Sequence, residues 1–199
     1  MITTEQIKDL RDQTGVSVMQ CKKALEEANG DQAKALVILR KKGGEIASKK
    51  SDRTFGAGTV QAYIHSTGNI GSMVILMCET DFVSGNDGFK TLARDIAMHI
   101  TATNPKFLKK DDITEEDRNI AREVFINETK NQSGSKSKDM QDKILEGKLA
   151  TYFSEMVLLD QPFIKSPDMT IQTLIENAIQ KFGEKIAIVR FNRFSVLDR

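Results

Sequence analysis

Two carboxylates one residue apart, Glu79 and Asp81, come nearest to a catalytic pair in this chain. On a strand, such positions share a face. A carboxylate pair works as acid and base when a pocket drives the two pKa values apart. Here the pair stands where an apolar run, residues 72–79, gives out, and no pocket is evident beyond it. His65 and His99 lie far apart and belong to no metal-ligand motif. Cys21 and Cys78 form no CxxC pair and read as two reduced, buried thiols. No GxxxxGK[ST], GxGxxG or GxSxG pattern occurs. The expectation is therefore a protein that is not an enzyme and uses neither cofactor nor metal. What remains is Thr80-Asp81-Phe82-Val83, an acid and a bare ring at a strand end. Either Phe82 packs back onto the domain while Asp81 caps the turn, or Phe82 projects as an anchor for a partner's pocket. The residues alone leave both open, and inward packing is the commoner outcome.

The elements around this string follow from periodicity. Residues 3–42 read as three short helices. Thr3 with Gln6, and Ser17 with Gln20, have capping-box spacing. Ile7 and Leu10 give helix one its apolar side. Val18, Cys21, Leu25 and Ala28 share a face of helix two, and Ala35, Leu36 and Leu39 one of helix three. Gly15 and Gly30 are the stops. The segment 40–55, RKKGGEIASKKSDRTF, carries six basic residues against Glu45 and Asp52. It reads as a junction, partly helical at 45–50, with a basic phosphate-binding strip as the alternative. The period then shortens. Val60, Ala62 and Ile64 alternate with Thr59, Gln61 and Tyr63, turn residues occupy 66–71, and the apolar run follows. This predicts a β-hairpin whose second strand is buried on both faces.

Residues 86–103 carry the strongest helical signal, through Phe89, Leu92, Ala93, Ile96, Ala97 and Ile100, closed by Asn104-Pro105. Thr114 caps a charged helix, 131–138 reads as a polar turn, and a further helix runs over 139–159; together these predict an antiparallel helical hairpin. Thr170 caps a last helix that ends at Gly183. The alternating segment 185–197 reads as a third strand that must return to the hairpin. The predicted architecture is α+β: a three-helix module at 1–42, a basic linker at 43–55, and a core of about three antiparallel strands with helices at 56–199, including the helical hairpin at 114–159.

Composition excludes little beyond extremes. Hydrophobic content of 39% and charged content of 29% are those of an ordinary globular chain. A formal net charge of +1 nominates neither nucleic acid nor membrane as a partner. No apolar stretch approaches the roughly 20 residues of a membrane span, and MITTEQIKDL has no signal-peptide core. A cytoplasmic protein is expected, with no membrane and no direct nucleic-acid contact.

Three strings in order carry a resemblance. Leu10-Arg11, Thr14-Gly15 and Cys21-Lys22-Lys23-Ala24-Leu25 resemble the ubiquitin-associated-like N-terminal module of bacterial elongation factor Ts. Cys78-Glu79-Thr80-Asp81-Phe82-Val83 resembles the core signature of that family, and Leu158-Leu159-Asp160-Gln161-Pro162-Phe163-Ile164 a third segment of it. The likeness spans essentially the whole chain. It departs at Val16-Ser17-Val18, at Thr54-Phe55-Gly56 and at Gly85. The resemblance implies a guanine nucleotide exchange factor for elongation factor Tu, bound in its GDP-loaded and nucleotide-free states. It implies that Thr80, Asp81, Phe82 and Val83 intrude beside the partner's Mg²⁺ and dislodge it, and that GTP rebinding then displaces the factor. Leu10, Arg11, Thr14, Gly15 and Val16 are the expected contact of the N-terminal module with a partner helix. The chain looks like the short form, with one core half, which implies a homodimer. An adaptor without exchange activity and an RNA-binding translation accessory using residues 40–53 are the alternatives.

Overall fold

Side-chain caps start the helices where the spacing predicts. The computed structural model describes residues 2–132 and 138–198. In α1 (Thr4–Thr14) the Thr3 hydroxyl accepts from the Gln6 N–H, and the Gln6 side chain accepts from the Thr3 N–H. Gly15 ends α1 at φ +69°, a left-handed cap that is cheap only for glycine. α2 (Val18–Glu27) is capped by Ser17 and α3 (Gln32–Lys49) by Asp31. Leu10, Val16, Cys21, Ala24, Leu25, Ala35 and Leu39 form one small core between them. Val18, expected on that core face, is exposed, and Val16 from the preceding loop fills the core instead.

β1 (Ala57–Ile64), β2 (Ile70–Cys78) and β5 (Ala187–Ser195) form an antiparallel sheet in the order β1-β2-β5. The predicted third strand thus returns across the chain to pair with the hairpin. Val74, Leu76 and Cys78 of β2 meet Phe89, Ala93, Ile96 and Ile100 of α5 (Asp87–Thr103), and α8 (Ile171–Phe182) adds Ile171, Ile175 and Ile179. Burial of such side chains is worth about 1.5–3 kcal/mol each. Ser72, buried among them, donates its hydroxyl to the Ala97 carbonyl at 2.6 Å.

The structure corrects the expectation that β2 is buried on both faces. Its inward residues are buried, but Met73 on the opposite face is exposed. Val60, Ala62 and Ile64 of β1 also lie on that open face, while Thr59, Gln61 and Tyr63 are half-buried. Alternation fixes the period of a strand but not which set of residues points at the helices.

Residues 43–49, expected within a linker, continue α3 without a break. Of the glycine pair, Gly43 is a close-packing site. A Cβ on Gly43 would stand 3.4 Å from the Glu176 carbonyl oxygen of α8. Arg40 pairs with Asp168 at 2.8 Å, and the Lys50 ammonium donates to the Gly183 carbonyl at 2.7 Å. The N-terminal helices therefore rest against α8.

α6 (Glu115–Gln132) and α7 (Lys138–Met156) pack together through Ala121, Phe125, Tyr152 and Phe153. Thr114 and Asp117 cap α6 reciprocally. Most of the polar turn expected between these helices, 133–137, lies outside the described residues. A two-stranded ribbon, β3 (Pro162–Phe163) with β4 (Ser166–Thr170), was not foreseen, because Pro162 and Pro167 suppress the usual strand signal. Beside it His99 is wholly buried in α5. Its Nδ1 accepts from the Ile164 N–H at 3.4 Å and its Nε2 lies 2.9 Å from Gln161 Oε1. The neutral tautomer protonated at Nε2 satisfies both contacts, and burial pushes the pKa down.

The close approach of α3 to α8 predicts opposite signs at neighbouring positions. Gly44→Ala meets only the Glu176 carboxylate, at 3.6–3.8 Å, and should stabilise the fold by about 0.5–1 kcal/mol through helix propensity. Gly43→Leu should destabilise it by about 1–3 kcal/mol through overpacking. Urea unfolding of both variants checks the pair.

Candidate partner-binding surface

The strand β2 ends at Cys78, and the chain turns at once into α4 (Asp81–Ser84), a single helical turn. Extended backbone at Thr80 (φ −126°, ψ 158°) makes the corner. The Gly85 N–H then donates to the Asp81 carbonyl at 2.8 Å, and Ser84 Oγ donates to the same oxygen at 3.1 Å. In one helical turn, neighbouring residues point to different sides. Val83 goes down into the core cluster and is 5% exposed, whereas the Phe82 ring is 87% exposed. Asp81 beside it is exposed. Of the two alternatives left by the sequence, the ring projects. Asn86 caps α5 directly afterwards by accepting from the Gly88 N–H at 2.8 Å, so a long helix braces the turn.

The carboxylate pair of the sequence is split. Glu79 turns away, accepting from the Lys185 N–H at 2.5 Å and from the Arg53 guanidinium at 3.1 and 3.2 Å. The Lys185 N–H first, and Arg53 after it, hold its carboxyl below the usual range. Glu184 accepts from the N–H groups of Glu79 and Thr80, both at 3.0 Å, and from the Thr80 hydroxyl at 2.5 Å. Sequence reasoning missed Glu184 and Lys185. They follow Glu79 by about a hundred positions in an ordinary helix-to-strand connection, with no motif to mark them. Cys78 lies beneath, with Sγ 3.2 Å from the Thr80 carbonyl. Burial pushes both the Cys78 and Cys21 thiols up, which leaves them poor nucleophiles at neutral pH.

The five residues expected in the N-terminal contact divide. Leu10 and Val16 are buried in the module core, while Arg11 and Gly15 are exposed and Thr14 is half-buried. Thr14 and Val16 line a cleft of about 510 Å³ together with Leu92, Lys181 and Phe182. Gly88, in the first turn of α5, stands on the same cleft. Thus the cleft runs from the 14–16 loop to the helix that follows α4. The apolar side chains that do reach solvent beside this loop are Val18 and Met19.

Among the described residues, no group of three or more His, Cys, Asp or Glu is arranged to hold a metal. Among them, too, no helix is long and apolar enough to cross a membrane. Fold and turn together define an α+β protein whose most exposed large apolar side chain, among the described residues, is a ring held out on a short, braced helical turn. A family model described as Elongation factor TS matches residues 4–198. Elongation factor Ts of Carboxydothermus hydrogenoformans is 46% identical over 200 residues, covering 98% of this chain and 89% of that protein. Its namesake from Thermodesulfovibrio yellowstonii is 47% identical over 195 residues, covering 98% and 96%. That of Heliobacterium modesticaldum is 42% identical over 196 residues, covering 98% and 90%. The chain belongs to the elongation factor Ts family.

The two neighbours in α4 should respond oppositely to truncation. Phe82→Ala should leave stability within about 0.5 kcal/mol, because its ring is already in water. Val83→Ala should cost about 1–2 kcal/mol through lost burial and a residual cavity. Thermal or urea unfolding of the free protein measures both.

Proposed function

We propose that this protein is a guanine nucleotide exchange factor for elongation factor Tu, acting through Thr80, Asp81, Phe82 and Val83. Family membership supports the activity, and the observation that carries the site is the exposed Phe82 ring on a braced turn. In a GTPase, Mg²⁺ bridges the phosphates and protein ligands and keeps GDP bound. Phe82 wedges into the partner next to that ion, and Asp81 disturbs the charges and hydrogen bonds that keep the ion in place. Thr80 and Val83 hold the other two at the required angle. Once Mg²⁺ leaves, the phosphates lose their main counter-charge and GDP dissociates. GTP rebinding displaces the factor.

The energetics are those of negative coupling. If the factor weakens GDP binding, GDP weakens factor binding by the same ratio. A hundredfold effect requires about 2.7 kcal/mol. A phenyl ring moved from water into a fitted pocket supplies about 1.5–3 kcal/mol. One ring therefore carries a large part of the effect.

The N-terminal module, residues 1–42, docks a helix of the partner, with Arg11, Thr14 and Gly15 in contact and Leu10 and Val16 shaping the loop from beneath. The exposed Val18 and Met19 extend that contact. Support comes from the cleft that joins this loop to the start of α5, the helix that follows α4 in the chain. The 56–199 core presents the turn.

The open sheet face is the surface for a homodimer. Val60, Ile64, Met73 and Phe194 are all exposed on it, with Ile64 at 70% and Phe194 at 61%. An apolar patch that spans three strands, interrupted on β5 by Arg190 and Asn192, suits sheet-on-sheet packing with a second copy, in which one patch serves both sides. The RNA-binding alternative loses its support. Of its basic strip, Arg40 pairs with Asp168, Lys42 with Glu27, Arg53 with Glu79, and Lys50 with the Gly183 carbonyl.

Stopped-flow release of labelled GDP from elongation factor Tu tests the site. The wild type should accelerate release, and Phe82→Ala should lose about a hundredfold of that acceleration, in proportion to the lost ring burial. No acceleration by the wild type removes the exchange reading, and acceleration that survives in both Phe82→Ala and Asp81→Ala moves the mechanism to other residues. Sedimentation velocity should find a dimer that Ile64→Glu converts to monomer. A monomeric wild type at micromolar concentration contradicts the dimer.

A further inference from the structure

The link between β2 and α4 is held by a reciprocal arrangement that the exchange reading by itself does not call for. Three pieces of chain meet there: residues 51–53, residues 79–80, and residues 183–185. Glu184 reaches across to the first corner and accepts from two successive backbone N–H groups, those of Glu79 and Thr80, and from the Thr80 hydroxyl. Glu79 reaches back and accepts from the Lys185 N–H. The Lys185 ammonium in turn donates to the Ser51 and Arg53 carbonyls, and Arg53 returns to Glu79. Thr80 occupies the N-cap position of α4, yet its side chain makes no cap to that helix and its hydroxyl donates to Glu184 instead. The turn is therefore fixed from outside rather than by its own helix. This matters because an isolated helical turn has no stability of its own.

The far side of the arrangement is rigid. Gly183 ends α8 at φ +73° and delivers Glu184 directly from a core helix. Phe182, one residue earlier, meets Phe89 of α5 edge-on at 6.0 Å. The end of α8 thus grips the chain both before α4, through Glu184, and after it, through Phe89.

We propose that Glu184 is a positioning residue for nucleotide release: with Glu79 it forms a reciprocal carboxylate-to-backbone clasp that sets the direction in which Asp81 and Phe82 project. The inference rests on the exchange reading above. Removing the Glu184 carboxylate frees donors at a partly wetted corner, where water replaces the lost acceptor. The fold survives, and the angle of α4 does not.

The test measures GDP release from the partner across a range of factor concentrations, with hydrogen exchange of the free protein alongside. Glu184→Ala should lower the maximal release rate about tenfold, as expected for a misaligned contact group, with little change in the concentration giving half the maximum. The amides of Glu79 and Thr80 should exchange faster while those of β2 and α5 do not. Glu184→Gln should recover most of the rate, since its carbonyl oxygen still accepts from both N–H groups. Glu184→Asp, which keeps the charge but shortens the reach, should not, and it stands in if the Ala variant fails to fold. A wild-type rate in Glu184→Ala or Glu184→Asp, or unchanged exchange at residues 79 and 80, overturns the clasp. So does a Gln variant as impaired as Ala, since that would make charge and not acceptor geometry the requirement. Phe82→Ala, run in parallel, separates the two ideas. If it retains full activity, the exchange site lies elsewhere, and the amide exchange at residues 79 and 80 still decides whether the clasp exists.

Discussion

The packing of β2 against α5 is the contact on which everything else in the core depends. β2 is the middle strand, and its inward residues Val74, Leu76 and Cys78 meet Phe89, Ala93 and Ile96 of the helix that follows it closely in the chain. Because strand and helix are joined only through α4, their packing dictates where that short turn sits. β5 must cross back from the far end of the chain to complete the sheet. This closure is entropically costly, and only the burial along the inner face repays it. The turn that carries Phe82 is thus a consequence of the core, not an addition to it.

The exposed ring and the open sheet face pose the same physical problem in two places. Apolar surface left in water forgoes stabilisation that a covering partner recovers. At Phe82 the surface is one ring on a constrained turn, suited to a pocket. On the sheet it is a flatter patch of Val60, Ile64, Met73 and Phe194, suited to another flat surface. The difference in shape is why we propose the first as a wedge for a GTPase and the second as a contact between copies of this chain.

Charge is used economically in the region between the two. The basic run of residues 40–53 suggests an anion-binding strip, yet most of its cations are tied to partners elsewhere in the fold. Exposed ion pairs of this kind contribute roughly 0–1 kcal/mol each. Their larger effect is geometric: Arg40 ties α3 to β4, Lys50 ties its end to the end of α8, and Arg53 steadies Glu79 beneath the turn.

Local physics made much of this legible in the sequence. The capping residues Thr3, Ser17, Thr114 and Thr170, the 3.6-residue apolar period of α5, the strand alternation and the string around Phe82 all act within a few positions. They set the order of the long helices and of the three main strands, the α+β class and the candidate turn. What sequence alone left open depended on which surfaces meet. Alternation in β1 does not reveal that Val60 and Ile64 face outward, because either face satisfies the period. Gly43-Gly44 looks like a break until α8 lies against it. Phe82 and Val83 are neighbours of similar hydrophobicity, and only the packing of α4 on the sheet sends one into the core and the other into water. Glu184 carries no local signal, since its partners lie about a hundred positions away and are backbone groups, which look the same in every residue type.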